Sequence, residues 1–160
     1  MVLVAPLTLE SRDKYWNCLS TVFNQVDLRH LRRGMDRLRP ETRFFAVEIE
    51  GRYVSVLFVT PMSLAGQRFG GIGGVCTRAE CRGMGFGSMV LDSAIRETSS
   101  DYRGLLLWTR IPGYFAGFGF VEVPQLFRPA VGGSIPMILV HDESARAAIE
   151  ALSELPREYF

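Results

Sequence analysis

The segment Val75–Leu91, reading VCTRAECRGMGFGSMVL, restricts the fold more than any other part of the chain. At its centre, Arg82-Gly83-Met84-Gly85-Phe86-Gly87 sets three glycines at alternate positions. An apolar run ending near Thr77 precedes them, and an amphipathic run beginning near Ser88 follows. This pattern predicts a strand, a tight turn and a helix start. Glycine adopts positive φ and lets a ligand approach the backbone closely. The first turn of the following helix leaves N–H donors unpaired at the positive end of its dipole. The turn is therefore suited to holding a phosphate group.

Spacing narrows the choice of phosphate. A dinucleotide fingerprint needs G-x-G-x-x-G, but starting from Gly83 and Gly85 puts Ser88 third, and starting from Gly85 and Gly87 puts Val90 there. A P-loop needs Gly-Lys-Ser/Thr, and no lysine is near. Arg82, Gly85 and Gly87 instead fit Arg/Gln-x-x-Gly-x-Gly/Ala, which resembles the pyrophosphate-binding motif of the GNAT superfamily of acyl-CoA-dependent N-acyltransferases. In that family an apolar strand triplet ends five residues before the arginine, and here that triplet is Val75-Cys76-Thr77. A glycine-rich turn holding no ligand is the bland alternative. The order strand, loop, helix weighs against it.

A second likeness lies downstream. Leu105-Leu106-Leu107-Trp108-Thr109 is a continuous apolar run, which predicts a strand buried on both faces. Pro112-Gly113-Tyr114-Phe115-Ala116-Gly117-Phe118-Gly119-Phe120 follows, and Phe118-Gly119-Phe120 is similar to the Gly-Phe turn that GNAT chains carry after a short helix. The resemblance is strong over roughly the second half of the chain. In the first half it extends only to the order of elements.

Bulk properties set outer bounds. A chain of 160 residues predicts a single domain, residues 1–160, able to bury a core without staples. Its net charge of +1 lacks the global field of nucleic-acid binders, so no nucleic-acid partner is expected. The three cysteines, Cys18, Cys76 and Cys81, have neither disulfide nor zinc spacing, which predicts a reducing, cytoplasmic setting and no metal. The apolar start Met1–Pro6 has no basic leader and meets Glu10 soon after, so no signal peptide is expected. No apolar run approaches membrane-spanning length, and no membrane partner is expected.

Along the chain, Val2–Leu9 predicts a first strand, with Thr8 or Ser11 capping a helix whose apolar face holds Tyr15, Leu19, Val22 and Phe23. Asp27 is expected to cap a basic helix containing Arg29, His30, Arg32, Arg33, Arg37 and Arg39, ended by Pro40. Residues 44–50 and 53–59 read as a hairpin turning at Gly51-Arg52. Residues 66–77 form a strand with Gly70, Gly71, Gly73 and Gly74 inside it, a pattern that marks a bulge or close backbone approach. A helix over 87–98 presents Met89, Val90, Ala94 and Ile95. Strands near 120–123 and 136–140 and a helix from Glu143 to about Glu154 complete the chain. The order predicts an α/β domain with a mixed, mostly antiparallel sheet. Strands 66–77 and 105–109 would be its parallel pair, joined by a right-handed crossover. The GNAT resemblance implies that this pair splays and that helices cover both faces.

The chemistry follows from these parts. A coenzyme A thioester needs donors for its pyrophosphate, which the amides of Gly83, Met84, Gly85, Phe86, Gly87 and Ser88 can supply beside Arg82. Its pantetheine arm can pair with the strand edge at Val75, Cys76 and Thr77. A backbone N–H of Cys76 or nearby can receive the developing oxyanion. Proton transfer needs an acid and a base. The resemblance implies a tyrosine acid four residues before the glycine of the Gly-Phe turn, where this chain has Phe115. Tyr114 is adjacent, yet one helical step turns a side chain by about 100°. Tyr114 is therefore either the general acid or a packing aromatic. Glu48 is the candidate base, with Glu50 expected on the same strand face, although solvated strand carboxylates are the commoner case. Cys76 lacks a histidine to activate it and reads as a small buried residue. His30 and His141 read as surface residues. The basic helix reads as a solvated face, with attraction of an anionic substrate or partner the less favoured reading. Together the residues and the resemblance imply an N-acetyltransferase. It would use acetyl-CoA as co-substrate and a primary amine of a small molecule or peptide as acceptor, with a homodimer through the C-terminal strands. The alternative is a catalytically weak acyl-CoA-binding sensor or partner module, favoured by Phe115.

Overall fold

A computed structural model describes residues 1–6, 8–126 and 133–151 of the chain. They divide into two compact units: Met1–Thr60 with Ile72–Glu97, and Pro61–Gly71 with the described residues from Thr98 on.

The first unit opens on strand β1 (Val2–Pro6), followed by helices α1 (Leu9–Ser20) and α2 (Gln25–Met35). Thr8 caps α1 and Ser11 returns the bond, forming a full capping box. The cap of α2 is Asn24, whose side chain accepts from the amides of Val26 and Asp27. Asp27, expected as the cap, lies in the first turn, where its charge suits the helix dipole. The helix also stops at Met35, short of Pro40, because Arg37 and Leu38 turn back onto the carbonyls of Gly34 and Met35. Strand β2 (Arg43–Ile49) pairs antiparallel with both β1 and β3 (Arg52–Leu64). The β2–β3 turn is Glu50-Gly51, with φ of 50° and 76°, one residue earlier than expected. Two left-handed residues form the mirror-image turn whose twist matches a hairpin. A bulge at Val47/Glu48 breaks the ladder just before it.

Strand β4 (Gln67–Thr77) leads through a short 3₁₀ turn (Ala79–Cys81) into helix α3 (Phe86–Thr98). The buried face of α3 holds Val90, Leu91 and Ala94, while Met89 is exposed, one step out of the expected phase. Tyr15, Cys18 and Leu19 of α1 and Leu28 and Met35 of α2 pack with Phe44, Ala46, Tyr53, Val56, Phe58 and Cys76 of the strands. Tyr15 lies 4.8 Å from Phe44 between ring centres. Each fully buried large apolar side chain here contributes about 1.5–3 kcal/mol of transfer free energy.

The second unit takes the end of β3 and the start of β4, joined by the left-handed pair Ala65-Gly66. To these it adds β5 (Gly104–Thr109), α4 (Pro112–Ala116), β6 (Val121–Glu122), β7 (Ile135–Val140) and α5 (Glu143–Glu150). The predicted continuation of α5 to Glu154 lies outside the described residues. Strand β5 pairs parallel with β4 at Gly70↔Leu105 and Gly71↔Leu106, and antiparallel with β7 along its length. Leu105, Leu106 and Leu107 are buried, as a strand covered on both faces requires. Met62, Leu64, Phe69, Leu106, Val123, Leu126, Ile138, Ala145 and Ile149 make this unit's core. Among the described residues, seven strands run in the order β1-β2-β3-β4-β5-β7-β6, a mixed and mostly antiparallel sheet with one parallel pair.

Candidate functional site

Thr77 ends β4, and Arg78 turns the chain into the loop. Arg78 is buried, a rare state for arginine, and its side chain is held from two sides. Its Nε donates to the Tyr53 carbonyl at 2.8 Å, its Nη2 to Asn17 Oδ1, and its backbone N–H to the Val54 carbonyl at 2.9 Å. The arginine thus ties the loop's first residue to β3 and α1. No local pattern marks Arg78, because its partners are distant in sequence.

Beyond the 3₁₀ turn, Arg82 is exposed and folds back, its Nε donating to the Thr77 carbonyl at 3.2 Å. Gly83 and Gly85 have φ of 77° and 80°, the left-handed region that the glycine pattern predicts. A Cβ at either would meet no atom within 4 Å, so the space above this backbone is open. Arg82, Gly83, Met84 and Gly85 are all exposed. Phe86, Gly87 and Ser88 form the first turn of α3, whose amides precede the first internal helical acceptors. The turn holds no acidic residue that would repel an anion. The arrangement offers an approachable set of N–H donors at the positive end of a helix.

On β4, Val75 and Thr77 are half-buried and Cys76 is buried. Ser55 donates to the Cys76 carbonyl at 3.3 Å and bonds Thr77 Oγ1 at 2.8 Å. The Cys76 sulfur sits 3.7 Å from that of Cys18. This thiol contact, and then burial, raise the Cys76 pKa far above the usual thiol range, so the group is a neutral core residue and no nucleophile.

Just upstream, Gly73, Gly74 and Val75 are each partly exposed inside the strand. Gly74 has φ of 57°. The hydroxyl of Tyr15, reaching down from α1, lies 3.4 Å from the Gly73 carbonyl oxygen and 3.2 Å from that of Gly74.

Glu48 follows the β2 bulge and is half-buried, 3.3 Å from Lys14 Nζ. Lys14 also meets Glu10 at 3.2 Å and lies 5.6 Å from the centre of the Tyr53 ring. Hydrogen bonds that Lys14 donates to Glu10 and then to Glu48 raise its pKa. The candidate base is therefore engaged in an ion pair. Glu50 does not share its strand face, because Glu50 is the first residue of the turn and is exposed.

Tyr114 belongs to the second unit, whereas Glu48, Val75–Thr77 and Arg82–Ser88 belong to the first. It is half-buried on α4, its ring 5.0 Å from Phe115 and 5.3 Å from Phe118. Phe115 is 3% exposed and packs edge-on against Phe120 at 5.9 Å. The helical step between the two residues sends Phe115 into the core and leaves Tyr114 at its margin. Gly119, with φ of 88°, closes the turn that brings the Phe120 amide back to the Phe115 carbonyl. A cavity of about 290 Å³ between β6, β7 and α5 includes none of the sequence-predicted site residues.

A family model for an acetyltransferase (GNAT) domain matches residues 4–122. Among solved structures, the chain is similar to a GNAT family N-acetyltransferase from Escherichia coli in complex with CoA, at 14% identity and a TM-score of 0.72. The match covers 99% of this chain and 91% of that one. It is similar to an acyl-CoA N-acyltransferase from Pseudomonas aeruginosa at 21% identity and a TM-score of 0.68, over 86% of this chain and 97% of that one. A probable N-acyltransferase from Enterococcus faecalis shares 19% identity at a TM-score of 0.63, over 76% of this chain and 32% of that one. The chain thus spans about a third of that last protein. No curated protein matches it in sequence. At these identities the likeness is one of fold.

Proposed function

Because the chain belongs to the GNAT acetyltransferase family, we propose that it transfers an acetyl group from acetyl-CoA to a primary amine of a small molecule or peptide by direct attack, in the cytoplasm. The carrying observation is the exposed Gly83–Gly85 turn, left-handed at both glycines and opening onto the start of α3. Amides at Gly83–Ser88 and the Arg82 side chain would take the pyrophosphate, with Arg82 releasing the Thr77 carbonyl to do so. The edge at Val75, Cys76 and Thr77 would pair with the pantetheine amides. A β4 amide near Cys76 would receive the charge that develops on the carbonyl oxygen as the neutral amine attacks. The thiolate then leaves as the acetyl–nitrogen bond completes, and a proton passes from the new amide nitrogen to the base. Tyr114 is the proposed proton donor to the sulfur and Glu48 the proposed base, the latter after separating from Lys14.

One observation favours a second reading. Phe115 occupies the family's tyrosine position and is part of a packed core, which suits an acyl-CoA-binding sensor with weak transfer. Measuring free thiol released from acetyl-CoA across an amine library decides between them. Amine-dependent release supports the enzyme. Tight acetyl-CoA binding without release from any amine leaves the sensor.

A further inference from the structure

In a regular strand, consecutive carbonyls point to opposite edges of the strand. In β4 the alternation fails at one point. The carbonyls of Gly73 and Gly74 both lie within 3.4 Å of a single hydroxyl, that of Tyr15. The left-handed φ of Gly74 makes this reversal. A side chain there is doubly excluded, since a Cβ would fall 1.6 Å from the Tyr15 oxygen. Tyr15 itself is fixed: it is fully buried, its ring in tilted contact with those of Phe44 and Phe58, and its burial raises its pKa so that the phenol stays a donor.

Every peptide bond of the described chain is trans, so each N–H points opposite to the carbonyl of the same peptide plane. Two consecutive carbonyls turned toward Tyr15 therefore turn two consecutive amides, those of Gly74 and Val75, away from it. Both residues are partly exposed, and Val75 is the first residue of the triplet assigned to the pantetheine arm, so the kink sits where that arm would reach its thioester end. Neighbouring N–H groups turned to one side by a left-handed residue form an anion-binding concavity.

We infer that Tyr15 is a positioning residue for acyl transfer, its hydroxyl holding the β4 kink that aims the Gly74 and Val75 amides at the thioester carbonyl. This inference rests on the acyl-CoA reading above. Without the hydroxyl, both carbonyls lose their common anchor and the peptide planes are free to rotate. The kink's geometry matters more to the transition state than to ground-state binding, since a donor placed for an oxyanion strengthens as charge develops.

Tyr15→Phe keeps the ring and its packing and removes only the donor. The expected result is a kcat about tenfold to a hundredfold lower, short of the 10²–10³ for outright loss of an oxyanion donor. KM and calorimetric affinity for acetyl-CoA should stay within about twofold. Unchanged kcat in a folded variant, or kcat and KM worsening together with a collapse of Tm, would leave Tyr15 as a packing residue and overturn the inference. A measurement on the unaltered protein covers the case in which the variant fails to fold. Amide spectra of ¹⁵N-labelled protein are compared with CoA and with acetyl-CoA, which differ in the thioester carbonyl. Extra shifts at Gly74 and Val75 with acetyl-CoA alone support the inference. Equal shifts with both ligands refute it while leaving the acyl-CoA reading intact, and no binding of either removes both.

Discussion

Residues 114 and 115 give the sharpest contrast between two neighbours. Phe115 has its ring in the second unit's core, while Tyr114 is half-buried beside it. If Tyr114 protonates the departing sulfur, Tyr114→Phe should lower turnover by about 10²–10⁴, the range for a positioned proton donor. Acetyl-CoA affinity should hold, and steady-state kinetics beside calorimetry will read both. The reverse change, Phe115→Tyr, would restore the family's usual residue. The packing of Phe115 against Phe120 decides its expected outcome. A hydroxyl placed there without a partner costs about 1–3 kcal/mol, so Tm should fall and the rate should not rise. A rate gain would mean that position 115 faces the thioester after all. Cys76 shows the same principle from the other side: paired with Cys18 and buried, it is held as a neutral thiol, so Cys76→Ala should not yield a dead enzyme for want of a nucleophile.

Turns and caps carry the predictions at the scale of elements. The β2–β3 turn puts Glu50 at φ 50°, where asparagine followed by glycine is the favoured pair. Glu50→Asn should therefore stabilise the protein by about 1 kcal/mol, given that left-handed backbone costs most L-residues roughly 1–2 kcal/mol. Thermal unfolding should register a rise of roughly 2–4 °C. At α5, Asp142 is the N-cap, accepting from Ser144, from the Ala145 amide and from Arg103. These bonds, that of Ser144 foremost, hold its carboxyl well below the usual range. The depressed pKa means that stability from the ionised cap is present above the ordinary aspartate value of about 3.9. It is lost as pH falls through the lower folded value. Asp142→Asn keeps a capping oxygen but removes that titration, so acid unfolding followed below pH ~4 should show a shallower loss than in the unaltered protein.

What sequence revealed at this scale depended on how local each signal was. The alternate glycines at 83, 85 and 87 specify a turn among themselves, and Leu105–Leu107 declare a buried strand without reference to any partner. The start of α2 was harder, because Asn24 and Asp27 are both competent caps three residues apart. The phase of α3 was missed by one step at Met89, since a helix with apolar residues at 89, 90 and 91 can roll. Arg78 and the Tyr15–Gly74 contact carry no local signature at all. Each is a meeting of segments about sixty residues apart, and only the folded chain reveals it.

At the scale of the whole molecule, the described residues form a mixed sheet in which β4 and β5 run parallel, and the glycine turn follows the end of β4. The family assignment rests on a match over residues 4–122, which spans both that strand and that turn. The ligand at the turn is the proposal on which the other assignments depend, the roles of Tyr15, Tyr114 and Glu48 among them. Calorimetric titration of acetyl-CoA into the unaltered protein and into Gly85→Val tests it most directly. Gly85 combines a left-handed φ with open space, so a branched side chain both strains the turn and fills the room where phosphate oxygens would approach. We predict one-to-one binding to the unaltered chain and no measurable binding to a folded Gly85→Val. Equal affinity in the two proteins would contradict the assignment of the site.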